Sequence, residues 1–248
     1  MTELLLTLDT DWAPDFAIDF VADYLVAHQV KATWFVTHAS PAIERLRQYS
    51  ELFELGIHPN FLTNSSHGST PEAILQRCME LVPEAKSMRT HALVQSTPLL
   101  NMVMEKTPIV SDVSLLLPKA PGLQPVSYPC GRGLLRIPYF WEDDIEMEYE
   151  QPSWQLAPLL DEDLDKGAKG LKIFDFHPIH IYLNSADMKP YQAMKRLGKG
   201  LSEVSLAEAQ QFVAIAPGTQ TMFKQVTSFL SETSSLRIND LASRYWKG

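Results

Sequence analysis

The sequence has few cysteines, no long apolar run and no excess of basic residues. Its two cysteines, Cys78 and Cys130, form no CxxC pair, so neither a disulfide framework nor a thiolate metal site is indicated. No apolar run approaches the roughly 18 residues that a membrane-spanning helix requires. A net charge of −9 argues against contact with a nucleic acid backbone over a broad surface. We therefore expect a soluble protein that binds neither a membrane nor a nucleic acid.

The N-terminus lacks the basic segment that opens a signal peptide, and its short apolar run is soon followed by acids. A cytoplasmic location is the resulting expectation. Internal repeats and low-complexity tracts are also missing, and 248 residues are enough to bury a sizeable core. We expect one domain over residues 1–248, with an insertion or rim segment at about 118–150, where proline and glycine interrupt the pattern. Assembly into a homo-oligomer stays open.

What the sequence does contain is a regular alternation of predicted strands and helices. Apolar runs typical of buried strands begin at Leu4, Ala32 and Leu171. Helix spacing and helix-start signals predict helices over 14–28, 41–55, 70–81, 98–105, 219–232 and 238–245. This alternation is typical of parallel strands with crossover helices, either closed into a barrel or wound into an open sheet.

Two carboxylates, Asp9 and Asp11, stand at the end of the first predicted strand. Residues two apart on a strand point to the same face, so both carboxylates would share one small mouth. Such a pair is costly unless a cation or a proton neutralises part of it. The pattern therefore indicates a metal, a perturbed pKa, or both. The alternative is that both are turn residues, with Asp11 capping the helix that begins near Pro14.

Three of the seven histidines, His58, His91 and His177, stand at or just beyond the ends of predicted strands. If the strands are parallel, these ends converge on the face that carries Asp9 and Asp11. Carboxylates and imidazoles together suit a divalent metal ion.

Four segments carry a resemblance to a known family. They are Leu8-Asp9-Thr10-Asp11, Glu54-Leu55-Gly56-Ile57-His58, Ser87-Met88-Arg89 and Phe174-Asp175-Phe176-His177. Together they resemble the motifs of the polysaccharide deacetylases, the NodB-homology group of carbohydrate esterase family 4. The resemblance implies an α/β fold with a distorted parallel (β/α) barrel. It also implies metal-dependent hydrolysis that removes an acetyl group from an N-acylated sugar or sugar precursor.

The resemblance also assigns roles to individual residues. It implies three ligands for Zn²⁺ or another divalent transition metal: Asp11, His58 and His67. It further implies a general base, an acid that protonates the departing amine, and an arginine that holds the base ionised: Asp9, His177 and Arg89.

Two departures from the family pattern mark a divergent branch. The family places its second metal histidine four residues after the first, where this chain has Leu62, and His67 is the nearest candidate. A proline that usually follows the arginine motif is missing after Arg89.

Candidate contacts to a small-molecule or oligosaccharide substrate come from an aromatic run that leads into three acids at 139–144. Aromatic rings beside carboxylates are typical of surfaces that grip a sugar, which predicts Trp141 and Asp143 as substrate contacts. His91 and His180 are further candidates for substrate binding, although ordinary packing explains them equally well.

Two rival functions are consistent with parts of the pattern. A phosphatase of the haloacid dehalogenase type also ends its first strand in DxD, but that chemistry gives the histidines no role. A non-catalytic carbohydrate-binding relative would explain the disrupted histidine spacing.

Overall fold

The backbone alternates strands and helices in a computed structural model that describes residues 3–129, 131–160 and 169–245. The strands are β1 (Glu3–Asp9), β2 (Ala32–Val36), β3 (Phe53–Ile57), β4 (Ser87–Met88), β5 (Ser111–Leu116), β6 (Val126–Tyr128), β7 (Leu134–Tyr139), β8 (Trp141–Glu142) and β9 (Leu171–Phe176). The helices are α1 (Asp15–Ala27), α2 (Pro41–Arg47), α3 (Pro71–Leu81), α4 (Thr97–Lys106), α5 (Asp143–Glu148), α6 (Pro178–Leu183), α7 (Lys189–Lys195), α8 (Leu206–Ala209), α9 (Thr219–Glu232) and α10 (Ile238–Tyr245).

The described strands form one sheet in the order β6-β7-β5-β4-β3-β2-β1-β9-β8. Neighbouring strands are parallel except for β6, which pairs antiparallel with β7. Only Phe140 separates β7 from β8 along the chain, yet β7 pairs with β5 and β8 pairs with β9. The N–H of Phe140 donates to Ile173 O at 2.9 Å. The sheet therefore closes on itself through one bent segment, and the predicted parallel α/β barrel is confirmed.

Burial on both faces explains the long apolar runs of the strands. In β1 the four leucines are at most 5% exposed, and every residue of β2 and β3 is buried. Parallel strands covered by helices on the outside and filled by side chains on the inside require such runs.

Helix starts in the first half of the chain follow their sequence signals. Ser40, Thr70 and Ser96 each accept a hydrogen bond from the backbone N–H three residues on, and a proline opens the helix that follows. The side-chain cap satisfies one unpaired N–H of the first helical turn, and the proline removes another because it has no N–H.

The predicted helix over 41–55 is wrong in its second half. Helix α2 ends at Arg47, and Phe53 N–H donates to Tyr49 O at 2.8 Å as the chain turns into β3. Apolar residues at 46, 49, 52 and 53 fit helical spacing, but residues 53–57 pair along β2 and are buried on both faces. Pairing within the sheet therefore overrides the local pattern.

The segment at 118–150, expected to be an insertion or rim, contributes to the barrel wall. Its β7 and β8 pair with barrel strands, whereas 118–133 forms loops and the antiparallel β6. Whether the chain is one domain over 1–248 stays a prediction.

We expect Gly56→Ala to lower the free energy of unfolding by about 1–3 kcal/mol, the usual cost of overpacking a core. A Cβ at Gly56 would lie 2.8 Å from the ring of Phe35 and from Ser87 O, which belongs to the backbone of β4. Thermal or denaturant unfolding measures the effect. The matched control is Gly200→Ala, whose Cβ would meet only Glu203 at 3.6 Å; equal unfolding midpoints for the two variants would contradict the argument.

Candidate active site

The C-terminal ends of four barrel strands carry five side chains to one mouth. Asp9 ends β1 and Asp11 lies in the turn that follows, while His58, Arg89 and His177 directly follow β3, β4 and β9. His58 Nε2 lies 3.5 Å from Asp9 Oδ2, and Arg89 Nη1 lies 2.9 Å from Asp9 Oδ1. His177 Nε2 lies 3.6 Å from Asp11 Oδ2. These five residues, all expected at a common site, form one connected set of contacts.

One carboxylate and two imidazoles converge at this mouth. Asp11 Oδ1 lies 3.2 Å from His58 Nε2 and 3.1 Å from His91 Nδ1, and the three atoms are within 4.8 Å of one another. The other ring nitrogen of His58 is buried without a hydrogen-bond partner, so this imidazole makes its polar contacts through Nε2. A carboxylate oxygen with two imidazole nitrogens is a donor set that suits zinc and similar divalent ions.

Two further groups of three potential ligands overlap at His177. One is Asp9, Asp175 and His177, and the other is Glu142, Asp144 and His177. In the first, the guanidinium of Arg89 already contacts both carboxylates. In the second, burial first and the nearby Asp175 next raise the pKa of Glu142 to about 8, so this carboxyl is largely protonated at neutral pH. Asp11, His58 and His91 are therefore the group best suited to a cation.

The charge on Asp11 is stabilised by its neighbours. Burial alone would raise the pKa of this carboxyl, but hydrogen bonds from His58 and His91 outweigh burial and hold the pKa well below its ordinary value. Asp11 is thus ionised over the whole physiological range, as a metal ligand must be.

The turn that presents Asp11 is strained. Asp11 and Trp12 have φ values of 40° and 54°, and Ala13 N–H donates to Thr10 O at 2.7 Å. Two successive positive φ values identify a type I′ turn, whose central positions favour glycine, asparagine and aspartate. Asp11 therefore suits its position, whereas Trp12 in this conformation costs about 1–3 kcal/mol, and strain of this kind is common at functional sites. Thr37 Oγ1 secures the turn by accepting from Trp12 N–H at 2.9 Å.

A buried ion network surrounds Asp9. Arg89 Nη1 contacts Asp9 and Asp175, Arg89 Nη2 donates to Thr7 Oγ1 at 3.0 Å, and Thr7 Oγ1 donates to Asp175 Oδ1 at 2.7 Å. Phe35 and Tyr139 hold the guanidinium between their rings, with centroids 4.7 and 4.2 Å from Arg89 Cζ. The arginine is therefore fixed in position and in charge.

Arg89 does not dominate the ionisation of Asp9. Burial raises the pKa of Asp9 well above its ordinary value, with a further contribution from Asp175, and Arg89 opposes this only in part. Asp9 therefore binds a proton more tightly than an ordinary carboxylate does, which favours a role as general base.

His177 has two carboxylate partners at the start of α5, directly after β8. Its Nδ1 lies 2.7 Å from Asp143 Oδ1, its backbone N–H donates to Asp143 Oδ2 at 2.9 Å, and Asp144 Oδ1 lies 3.8 Å away. Burial would lower the pKa of His177, but Asp144 and Asp143 outweigh burial and raise the pKa well above its ordinary value. His177 is thus a protonated imidazole whose Nε2 faces Asp11.

His67, predicted as a metal ligand, is not brought to the cluster. Its Nε2 lies 2.7 Å from Thr37 O, and its Nδ1 accepts from Asn60 N–H at 3.2 Å with Cys78 Sγ 3.3 Å away. Both ring nitrogens are engaged in hydrogen bonds that hold the 59–70 loop against the strand ends. His91, predicted as a substrate contact, occupies the cluster in its place.

The predicted substrate contacts lie deeper than expected. Trp141 is 2% exposed, packs against Phe174 and Phe176, and donates from Nε1 to Glu146 at 2.8 Å. A sugar cannot stack on a ring in this position. Asp143 is fully buried as the partner of His177.

His180 is also buried, and neither of its ring nitrogens faces the mouth without a partner. Its Nε2 lies 3.0 Å from Asp144 Oδ1 and its Nδ1 lies 3.2 Å from Ser185 Oγ. Its contacts position Asp144 beside His177.

Sequence reasoning gave no catalytic role to Thr7, Asp144 or Asp175. The missing signal is register, because β1 pairs with β9 so that Thr7 stands beside Asp175. Asp143 and Asp144 are adjacent in sequence, and only the structure shows that Asp143 is buried whereas Asp144 is partly exposed.

The chain is similar to known proteins in both sequence and fold. A family model described as WbmS-like polysaccharide deacetylase matches residues 6–195. A solved structure of a candidate polysaccharide deacetylase involved in O-antigen biosynthesis, from Bordetella bronchiseptica, is 32% identical with a TM-score of 0.77, covering 92% of this chain and 90% of that chain. No curated protein matches the sequence.

Two less similar structures extend the comparison. A family 4 acetyl xylan esterase from Clostridium thermocellum, in complex with a cobalt ion, is 15% identical with a TM-score of 0.47, covering 97% of this chain and 90% of that one. The peptidoglycan deacetylase PdaC from Bacillus subtilis is 12% identical with a TM-score of 0.44, covering 98% and 90%. Among the helices of the described residues, none is long and apolar enough to cross a membrane.

Proposed function

The chain belongs to the WbmS-like polysaccharide deacetylase family, and on this premise we propose that it is a metal-dependent hydrolase that removes the acetyl group from an N-acetylated amino sugar. The observation that carries the proposal is the meeting of three groups at one mouth. They are the Asp11, His58 and His91 cluster, the buried base Asp9, and the protonated His177. Family membership sets aside the phosphatase alternative.

Asp11, His58 and His91 would hold the metal ion, Zn²⁺ or another divalent transition metal. When bound, such an ion polarises the acyl oxygen and lowers the pKa of water beside it. Two imidazoles and one ionised carboxylate fit this role. The choice of His91 replaces His67 in the ligand set that the family resemblance implied.

Proton movements are assigned to Asp9 and His177. Asp9 Oδ2, 3.5 Å from His58 Nε2, takes the proton from the attacking water. Arg89 and Thr7 keep this carboxylate oriented through the network that includes Asp175. His177 donates its Nε2 proton to the amine nitrogen as the C–N bond breaks, and Asp143 fixes the ring by accepting from Nδ1–H.

The substrate class is part of the proposal. The Bordetella bronchiseptica relative is described as involved in O-antigen biosynthesis, which supports an N-acetylated precursor of a surface polysaccharide. We place the reaction in the cytoplasm, with a nucleotide-linked or lipid-linked amino sugar as the preferred substrate.

Acetate release tests the proposal directly. Zinc-loaded protein is incubated with N-acetylated sugar nucleotides, free N-acetylhexosamines and chitin oligomers, before and after treatment with a chelator. We expect release from the precursors, and its loss when the metal is removed. Turnover of long oligomers alone would overturn the substrate class, and sugar binding without any acetate release would favour a non-catalytic relative.

We expect Asp143→Asn to move the alkaline limb of the kcat/KM profile to lower pH. Asp143 raises the pKa of His177, so the protonated acid persists to higher pH and is lost as pH rises through that pKa. Removing the negative charge lowers the pKa and makes the loss begin earlier. We also expect kcat to fall by about tenfold or more, since general acids contribute 10²–10⁴.

The control for this prediction is Asp187→Asn, an exposed carboxylate paired with Lys189. Its pH profile should match that of the unmodified protein. An alkaline limb that stays in place in Asp143→Asn would contradict the assignment of His177 as the acid.

A further inference from the structure

Trp12 occupies an unusual position for a large aromatic residue. It directly follows the proposed metal ligand Asp11 and takes the second central position of the strained turn, with a φ of 54°. Glycine would adopt this backbone without strain. The turn itself does not call for a tryptophan, so the indole side chain must have a function of its own.

The indole ring lies against the metal cluster. Its centroid is 5.3 Å from that of His91 in an edge-on contact at 87°, and 5.4 Å from that of His67. A hydrogen bond fixes the backbone of Trp12, because its N–H donates to Thr37 Oγ1. One edge of the indole is thus fixed beside a proposed ligand.

Trp12 also differs from the other tryptophans that the structure describes. Trp34, Trp141 and Trp154 are 0%, 2% and 6% exposed, whereas Trp12 is only partly buried. Within the described ranges, the indole N–H of Trp12 donates to no protein acceptor. The N–H of Trp34 is also unpaired, but that ring is fully buried and out of reach of a ligand. Trp12 combines an unpaired N–H with a partly exposed ring, so both its face and its N–H can contact a ligand.

We propose that Trp12 is a sugar-binding residue that forms the wall of the mouth on the side of His91. This inference rests on the proposed function. The carbonyl carbon of an N-acetyl group is two bonds from the sugar carbon that bears the nitrogen. A substrate whose acetyl group reaches Asp9 therefore places its ring within a few ångströms of the cluster that Trp12 touches. The exposed indole surface packs against the C–H groups of the ring, and the N–H donates to a hydroxyl.

A binding experiment separates this inference from turnover. N-acetylglucosamine is titrated into zinc-loaded protein carrying Asp9→Asn, and tryptophan emission is recorded. We expect the emission to change with sugar concentration, and the change to disappear when Trp12→Phe is added. Trp154→Phe, which removes a buried tryptophan, is the matched control and should keep the change.

Kinetics give a second readout on the active protein. We expect Trp12→Leu to raise KM for N-acetylated sugars by about tenfold, the factor expected for loss of one aromatic contact. The value of kcat should change far less, and bound zinc should stay at the level of the unmodified protein. Trp12→Phe should fall between the two, because it keeps a ring and loses the N–H.

Several results would overturn the inference. They are an emission change that persists in Trp12→Phe, a sugar that leaves the emission of Asp9→Asn unaltered, or loss of zinc and kcat in Trp12→Leu. The last result would make Trp12 a positioning residue for His91. A Trp12-dependent emission change in a protein that releases no acetate would uphold the inference and refute the proposed function.

Discussion

Asp9→Asn is expected to retain the bound metal and to lose activity by about 10²–10⁴-fold, the contribution of a general base. The amide keeps the shape of the carboxylate but cannot take a proton from water. Asp9 Oδ1 is already engaged by Arg89 at 2.9 Å, which leaves Asp9 Oδ2 to face the reacting water. Metal content and acetate release, measured on the same preparation, check both parts of the expectation.

The comparison variant is Asp11→Asn, which removes the carboxylate closest to His58 and His91. It should lose the metal and the activity together. If Asp9→Asn lost the metal as completely as Asp11→Asn, then Asp9 would be a ligand and the base would have to be sought elsewhere. Asp175, a buried carboxylate that shares Arg89 with Asp9, would then be the next candidate.

His91→Ala is expected to abolish metal binding and to reduce activity to background. Its Nδ1 is one of only three ligand atoms in the proposed cluster, so its loss leaves a carboxylate and one imidazole. Equilibrium dialysis with zinc followed by metal analysis measures the effect without reference to turnover.

His67→Ala is the matched control because both histidines contact Trp12. It should keep the metal but destabilise the fold by about 1–3 kcal/mol, since Thr37 O and Asn60 N lose a buried partner. Retention of metal by His91→Ala with its loss from His67→Ala would reverse the assignment. His67, which the family resemblance implied as a metal ligand, would then bind the metal in place of His91.

The hydrophobic periodicity and the composition of the sequence predict much of the fold. The strand over 171–176 and the helices over 219–232 and 238–245 have the bounds that the pattern predicts. The strand is apolar on both faces, each helix is apolar on one face, and turn-forming residues mark where these segments begin and end. The boundary at 48–53 could not be placed, because apolar residues there fit a helix as well as the edge of a buried strand.

The predicted site was strongest where it rested on strand ends. Asp9, Asp11, His58, Arg89 and His177 reach one mouth because parallel strands all deliver their C-terminal ends to the same face. This rule also pointed to His91, which follows β4 by a short loop.

His67 was preferred only because it lies nearer to His58 in sequence. Distance along the chain does not measure distance across adjacent strand ends. The 59–70 loop turns its histidine toward Thr37, and no local pattern in that loop indicates the turn.

The sequence could not predict which way side chains point in the short strands. Trp141 and Glu142 form a strand of two residues, and a shift of one position exchanges the buried and the outward side chain. The sequence therefore predicted a sugar-binding surface at 139–141, whereas the structure places these aromatic side chains in the core. Trp12 received no attention because it stands in a turn rather than in an aromatic run.

The bent segment that closes the barrel ties catalysis to the cooperativity of folding. The residue after β8 is Asp143, whose carboxylate orients His177. Before it, β7, Phe140 and β8 form one continuous segment that pairs with β5 at one end and with β9 at the other. Any opening of this segment, however brief, withdraws the partner of the proposed acid while the proposed metal ligands that follow β1, β3 and β4 stay in place. Such a molecule would hold its metal and be inert, so its active fraction is set by the opening equilibrium of the segment.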